Sequence, residues 1–302
     1  MSTEVGLAVA ESTEVEAAAT PEGPLRLALD VFLENRLALA GAAVFFVVVL
    51  FCFVGPLIYR TDQVHTNIGR TTQAPSAAHL LGTDDVGYDQ LGRLMAGGQT
   101  SLEVALGAAC VAVVVGVLWG AVAGFFGGFV DALMMRIVDA ILAIPALFLL
   151  LFVASVTTPR VGTLIAIVGL IAWLVPARLI RGETLSLRTR EYVQAVRVMG
   201  GSSARIILRH IVPNTIGTVM VNATFQVADA ILVVAALSFL GLGIPPPSVN
   251  WGGMLSSGLN YTYAGYWWLI YPPGIAIVLT VVCFNFMGDA LRDAFEVRLR
   301  RR

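Results

Sequence analysis

The sequence predicts an all-α membrane protein with six transmembrane helices, and three observations carry that prediction. Of 302 residues, 57% are hydrophobic and only 13% are charged, with a mean hydropathy of +0.82. A soluble domain is about half apolar and about a quarter charged, so the composition excludes one. Charge-free apolar stretches recur along the chain, and about 20 such residues in a helix cross roughly 30 Å of hydrocarbon. Arg is also unevenly shared among the segments between those stretches, which is how membrane topology is written into a sequence.

Taken in order, residues 1–24 are rich in Glu, Ala and Thr and read as a disordered tail. The first apolar run starts after 36 residues rich in acid, unlike the short basic start of a removable signal peptide. Residues 37–59 make the first span and 104–126 the second. Spans at 140–156 and 161–177 follow, separated by Thr157-Thr158-Pro159-Arg160, a turn-forming tetrapeptide that suits a hairpin tip. After Pro213 the stretch 215–240 is apolar apart from Asn222, Gln226 and Asp229, and 269–288 makes the last span.

Fifteen of the 19 Arg lie in the N-terminal tail, near position 136, in residues 178–214 and in the C-terminal tail. Arg60, Arg70, Arg93 and Arg160 lie in the remaining segments. Because cytosolic loops carry the basic excess, both termini are expected in the cytosol, with 60–103 and 241–268 outside. The expected organisation is a cytosolic tail at 1–24, an N-terminal span with its outer loop at 25–100, a membrane core at 101–290 and a basic tail at 291–302.

All 19 basic residues are Arg. A chain without Lys cannot form a Schiff base or an ordinary phosphate-binding P-loop. Cys52, Cys110 and Cys283 lie in apolar runs without a CxxC pair, and the three His are scattered, so neither a disulfide framework nor a zinc site is expected.

The loop 178–214 is the most informative segment. Its run Glu191-Tyr192-Val193-Gln194-Ala195-Val196-Arg197-Val198-Met199 places Tyr192, Ala195, Val196 and Met199 on one helical face, with Glu191, Gln194 and Arg197 elsewhere. Gly200-Gly201 is expected to end that helix, with Gly200 left-handed. Ser202 or Ser203 can cap a second helix over 204–212, stopped by Pro213. So apolar a helix outside the membrane needs a second surface to bury against: either lipid headgroups or a partner.

On the fifth span Thr215, Thr218, Asn222, Gln226 and Asp229 are spaced 3, 4, 4 and 3, which is one polar stripe along a helix. A polar stripe in lipid must face protein or water. Interhelical hydrogen bonding is one reading, and a face lining a solute path is the other. Gly116, Gly120, Gly124 and Gly128, each four apart, form a small-residue ridge that suits close helix packing. Arg136 and Asp139 suggest a local ion pair. Tyr261, Tyr263, Tyr266, Trp267 and Trp268 suggest an interfacial belt. His65 and His79, and the acids Asp84, Asp85 and Asp89, read as loop residues rather than a metal site.

Gln194-Ala195-Val196, followed by Gly200 and then Pro213, resembles the EAA loop of ABC importer permeases. The surrounding run from Glu191 to Asn214 is similar to the dipeptide/oligopeptide/nickel permease family. So are the blocks His79 to Asp84 with Gly87, Asp89, Arg93, Gly97 and Ser101, and Ser238 to Gly243 with Pro246, Trp251, Pro273, Asn285 and Asp293. The sequence departs from that pattern at Gln194, where the motif has Glu, at Val196, where it has Ala, and at Tyr88 and Gln99, where Arg is usual.

The resemblance implies a type I ABC importer permease core of five helices behind an N-terminal span, in the inner membrane. It implies three kinds of partner: a second permease, two cytosolic ATPases and an external solute-binding protein. The helix of Glu191, Tyr192, Gln194, Ala195, Val196, Arg197 and Met199, ended by Gly200, would couple to the ATPases. Thr218, Asn222, Gln226 and Asp229 are the candidates for the path. ATP and Mg would belong to the partner ATPases, with no cofactor on this chain, no catalysis by it and no nucleic acid among its partners. Short peptides are the first solute implied, with nickel or another small solute as the alternative. An ion-coupled transporter titrating Asp229 would show inverted repeats, which the sequence lacks. A membrane-embedded enzyme finds no nucleophile and base pair here.

Overall fold

The computed structural model describes residues 32–300, with side chains through Phe295, so the expected tail at 1–24 and the end of the basic tail lie outside the described residues. Among them there is no strand, only an isolated bridge between Thr83 and Asp89. Four helical segments are long and apolar enough to cross a membrane unbroken, Arg36–Ile58, Gln90–Phe126, Ser203–Leu242 and Trp267–Phe295. Two more candidates are bent helix pairs. The fold is therefore all-helical, with four spans or up to six when each bent pair counts as one.

Helix α1 (Arg36–Phe53) starts where the Asn35 side chain accepts from the amides of Leu37 and Ala38, at 3.0 and 3.2 Å, which satisfies amides that a helix start leaves unpaired. Helix α2 (Gln90–Phe126) has 37 residues and is some 55 Å long at about 1.5 Å per residue. It begins well before the apolar run because Asp89 caps it, accepting from Gly92 N at 2.9 Å.

Gly127, with φ 67, turns the chain into α3 (Gly128–Leu142), and α4 (Ala146–Ser155) follows at 80° to it. The straight third span expected over 140–156 is thus broken in its first turn. Pro145 has no amide to donate and forces the preceding Ile144 away from helical geometry. Helices α5 (Val161–Ala172) and α6 (Leu174–Leu187) are bent by 42°, and Pro176 in the first turn of α6 is again the local cause.

After α7 (Glu191–Val198), α8 (Ser203–Ile206) passes through a wide π turn at Ile207–Ile211 and a tight turn at Val212–Thr215 into α9 (Ile216–Leu237). Pro213 was expected to stop a helix, yet the helical path continues through it. The wide turn before it rearranges the carbonyls that the proline cannot serve. Next come α10 (Trp251–Leu259) and α11 (Tyr271–Arg300). Pro272 and Pro273 sit in the first turn of α11, where their missing amides cost nothing.

The centre of the bundle is α2, which packs on α6, α5 and α9, while α11 packs on α9 and α1. The glycine ridge explains the closest of these approaches. A Cβ on Gly116 would stand 2.5 Å from Pro176 Cβ, and one on Gly124 would stand 2.7 Å from Thr184 Cβ. Gly120 faces the Ala177 carbonyl more closely still. Gly128 is not part of the ridge, since nothing lies within 4 Å of its Cβ position and its φ of 54 serves the turn.

Trp251 locks α10 onto the first turns of α2. Its indole N–H donates to Leu94 O at 2.9 Å and its amide to Ser101 Oγ at 3.1 Å. Trp268 is likewise a core residue rather than part of an aromatic belt: it is 6% exposed and its indole N–H donates to Thr83 O at 3.2 Å. Tyr263, in contrast, is fully exposed.

Candidate functional site

The segment between α6 and α9 is held to the bundle by Arg. Arg181 forms a two-pronged ion pair with Asp131 of α3, with both N···O distances at 2.6 Å, a geometry that suits the guanidinium fork. Arg178 reaches Asp139 at 2.5 Å, so Asp139 pairs across to α6 and not with Arg136. Arg188 donates to Gly124 O at 3.0 Å, serving a carbonyl that the end of α2 leaves open. These contacts join distant positions, and the sequence alone offers no periodic signal for them.

Helix α7 is anchored by one residue that periodicity did not single out. Val193 is fully buried in a cluster with Val117, Phe125, Ile180, Ile206 and Ile211, and Val196 packs against the same cluster. Tyr192, Ala195 and Met199 are exposed, as is Val198 at 87%. The expected face is therefore split: Val196 turns inward and Val198 takes a place outside. Gln194 is exposed, but its amide donates to Arg188 O at 2.8 Å, so it closes the start of its own helix. Glu191 and Arg197 are exposed.

Gly200 has φ 81. Its amide donates to Arg197 O at 3.1 Å, and that of Gly201 to Val196 O at 2.9 Å, the paired bonds of a Schellman helix end. Ser202 then caps α8, its hydroxyl accepting from Arg205 N at 3.4 Å.

The stripe on α9 does not lie on one open surface. Thr215 is fully buried and donates to Val212 O at 2.9 Å. Thr218 and Asn222 are half-buried beside Pro176, Leu179 and Ile180 of α6. Gln226 is buried, and its side-chain N–H donates to Ala172 O at 2.7 Å. Pro176, four residues after Ala172, has no amide for that carbonyl, so Gln226 supplies the missing donor. Asp229 is exposed, as are Leu232 further along α9 and Phe239 in the wide turn just beyond its end. The structure thus gathers Thr218, Asn222 and Gln226 along the seam with α5 and α6 and leaves Asp229 apart.

In the 60–89 loop Asp89 also accepts from Tyr59 Oη at 2.8 Å and contacts His79 Nδ1 at 2.8 Å, which ties the end of the first span to the start of α2. Asp84 accepts from the amides of Val86 and Tyr88 and faces Arg93 at 3.6 Å. Burial pushes its carboxyl above the ordinary range. Two of the four departures from the familiar pattern are employed here: Arg93 lies 4.2 Å over the Tyr88 ring, and Gln99 donates to Cys52 O at 2.7 Å. Among the described residues no group of three or more His, Cys, Asp or Glu could hold a metal.

Residues 116–301 match the family described as binding-protein-dependent transport system inner membrane component, and residues 23–75 match the N-terminal TM domain of oligopeptide transport permease C. The oligopeptide transport system permease protein OppC of Bacillus subtilis is 37% identical over 270 residues, 89% of this chain and 88% of that one. The dipeptide transport system permease protein DppC of the same organism is 36% identical over 268 residues, 89% and 84% of the two chains. OppC of Haemophilus influenzae is 37% identical over 271 residues, 89% and 87%. With that coverage, added to the all-helical bundle of the described residues, this chain belongs to the family of binding-protein-dependent transport system inner membrane components.

Proposed function

We propose that this chain is one of two permease subunits of an ATP-driven importer of short peptides. The observation that carries the reading is α7. It is fixed to the bundle through Val193 and turns Ala195, Val198 and Met199 away from it. An apolar patch on a short helix outside the bundle marks a surface to be covered by another protein. The peptide transport named for relatives of this length and identity supports the choice of solute.

In this reading α7 seats on one of two ATPase subunits in the cytosol, a second permease completes the pore, and an external binding protein delivers the solute. Both termini are cytosolic, with the tails at 1–24 and 291–302 on that side and the loops at 60–103 and 241–268 outside. The core at 101–290 carries the path. ATP and Mg stay with the ATPases, and this chain binds no cofactor. Closure of the ATPase pair pushes α7, and the Arg contacts to Asp131 and Gly124 pass that motion to α2, α3 and α6.

The test is Ala195→Asp. A charge placed in a surface that is buried on assembly is strongly unfavourable. The variant should insert in the membrane normally, lose ATPase copurification and take up peptide at less than about a tenth of the wild-type rate. Normal copurification and uptake would refute the docking role of α7.

A further inference from the structure

We propose that the cavity where α6, α7, α9 and α11 meet binds the ammonium group of the transported peptide, with Glu183 as its counter-charge. This rests on the peptide-importer reading above. The cavity has a volume of about 680 Å³, and its wall includes Glu183 and Ser186 of α6, Glu191 and Tyr192 of α7, Thr218 of α9 and Phe295 of α11. That is the size of a small-ligand cleft, typically 300–1,000 Å³.

Donors such as Ser186, Thr189 and Arg190 line the wall, yet one carboxylate oxygen is reached by none of them. Glu183 Oε2 is shielded from solvent and has no hydrogen-bond partner among the described residues, while the same carboxylate accepts from the Thr218 side chain. One turn along α9, Asn222 Oδ1 is a second shielded acceptor without a partner. Buried acceptors are costly unless a donor reaches them. A hydroxyl or a water brings one or two donors, an anion none, and an ammonium three together with the opposite charge. Arg190 also lines the cavity, but it is exposed and forms no ion pair with Glu183. A metal ion is poorly served, because no cluster of three or more His, Cys, Asp or Glu occurs among the described residues.

Two features favour the solute over a fixed protein group. Thr218 belongs both to this cavity and to the α9 stripe, so the cavity meets the stripe at its Thr218 end. Tyr192 and Phe295 supply apolar wall beside the polar groups, which suits a peptide side chain next to its amine. The competing occupant is a basic side chain of an ATPase, since Glu191 and Tyr192 lie on α7.

The experiment uses the purified complex of both permeases and both ATPases, without nucleotide or binding protein, and radiolabelled trialanine in equilibrium dialysis. Saturable binding is expected, with N-acetyl-trialanine competing about tenfold more weakly or worse. Glu183→Gln should weaken trialanine binding about tenfold or more, the cost of losing one charge-assisted hydrogen bond. Glu183→Asp should keep part of the affinity, and ATPase copurification should be unchanged in both. Absence of saturable binding by the wild-type complex would overturn the site, as would binding insensitive to Glu183→Gln or equal competition by the acetylated peptide. Loss of the ATPase in Glu183→Gln would overturn it in favour of a basic ATPase side chain. The importer reading fails separately, if the wild-type complex supplied with its binding protein takes up no peptide.

Discussion

The guanidinium of Arg197 lies over the ring of Phe125, 5.1 Å from its centroid. Arg197 is in the last turn of α7 and Phe125 in the last turn of α2. The contact therefore fastens the exposed helix to the longest helix of the bundle, next to the Gly127 turn. Phe125 also packs with Val193, so one aromatic ring meets α7 through an apolar contact and through a cation held over its face. A displacement of α7 along its axis cannot leave the end of α2 where it was.

Gly200 sets the exit angle of that helix. Its φ of 81 belongs to the left-handed region, and no atom lies within 4 Å of a Cβ placed there, so a substitution meets backbone strain and no steric clash. Gly200→Val should cost about 1 kcal/mol or more, open the bonds to Arg197 O and Val196 O, and tilt α7. The expected result is normal membrane abundance with weakened ATPase copurification and loss of uptake. Gly200→Asn, which tolerates this conformation better, should retain more of both. Equal behaviour of the two variants would place the effect outside the helix end.

Gln226 is the second test. Gln226→Leu keeps the volume and removes the donor to Ala172 O, leaving the broken turn between α5 and α6 unsatisfied. Such hydrogen bonds in membranes are worth about 1 kcal/mol. A lower melting temperature for the detergent-solubilised protein is expected, with uptake falling in proportion to abundance. Uptake that falls with no change in melting would assign Gln226 to the solute instead.

The orientation can be checked chemically. In a background with Cys52, Cys110 and Cys283 replaced, Cys introduced at Ala77 or at the fully exposed Tyr263 should react with an impermeant maleimide in intact cells. Cys at Ser203, also exposed, should react only after permeabilisation. Labelling of position 203 in intact cells reverses the topology.

Much of this architecture is legible in the sequence because membrane burial leaves a one-dimensional record. Charge-free runs marked α1, α2, α9 and α11, glycines four apart marked the α2–α6 contact, and Gly200 marked the end of α7. What stayed hidden depends on direction. Hydropathy sees 140–156 and 161–177 as straight apolar length, whereas the bends at Pro145 and Pro176 follow from which neighbour accepts the displaced backbone. The stripe was correct as a periodicity, but three of its five polar residues turn to the seam with α5 and α6, which only the packing reveals. Val193 was missed because helical period alone cannot say which of two apolar faces meets the bundle. Trp268 was missed because aromatic residues near a span end look the same whether they meet headgroups or a loop carbonyl.

The wide turn at Ile207–Ile211 gives the segment its rotational phase. A π turn holds one residue more than an α turn, and each residue of an α-helix advances about 100°. The added residue offsets the faces below and above it. Ile206, Ile207 and Ile211 are thereby aimed into the cluster around Phe125, while Thr218, Asn222 and Gln226 are aimed at α6. Because no loop interrupts Ser203–Leu242, this offset works like a gear tooth: twisting the lower end about its axis swings the polar side chains above it through the same arc.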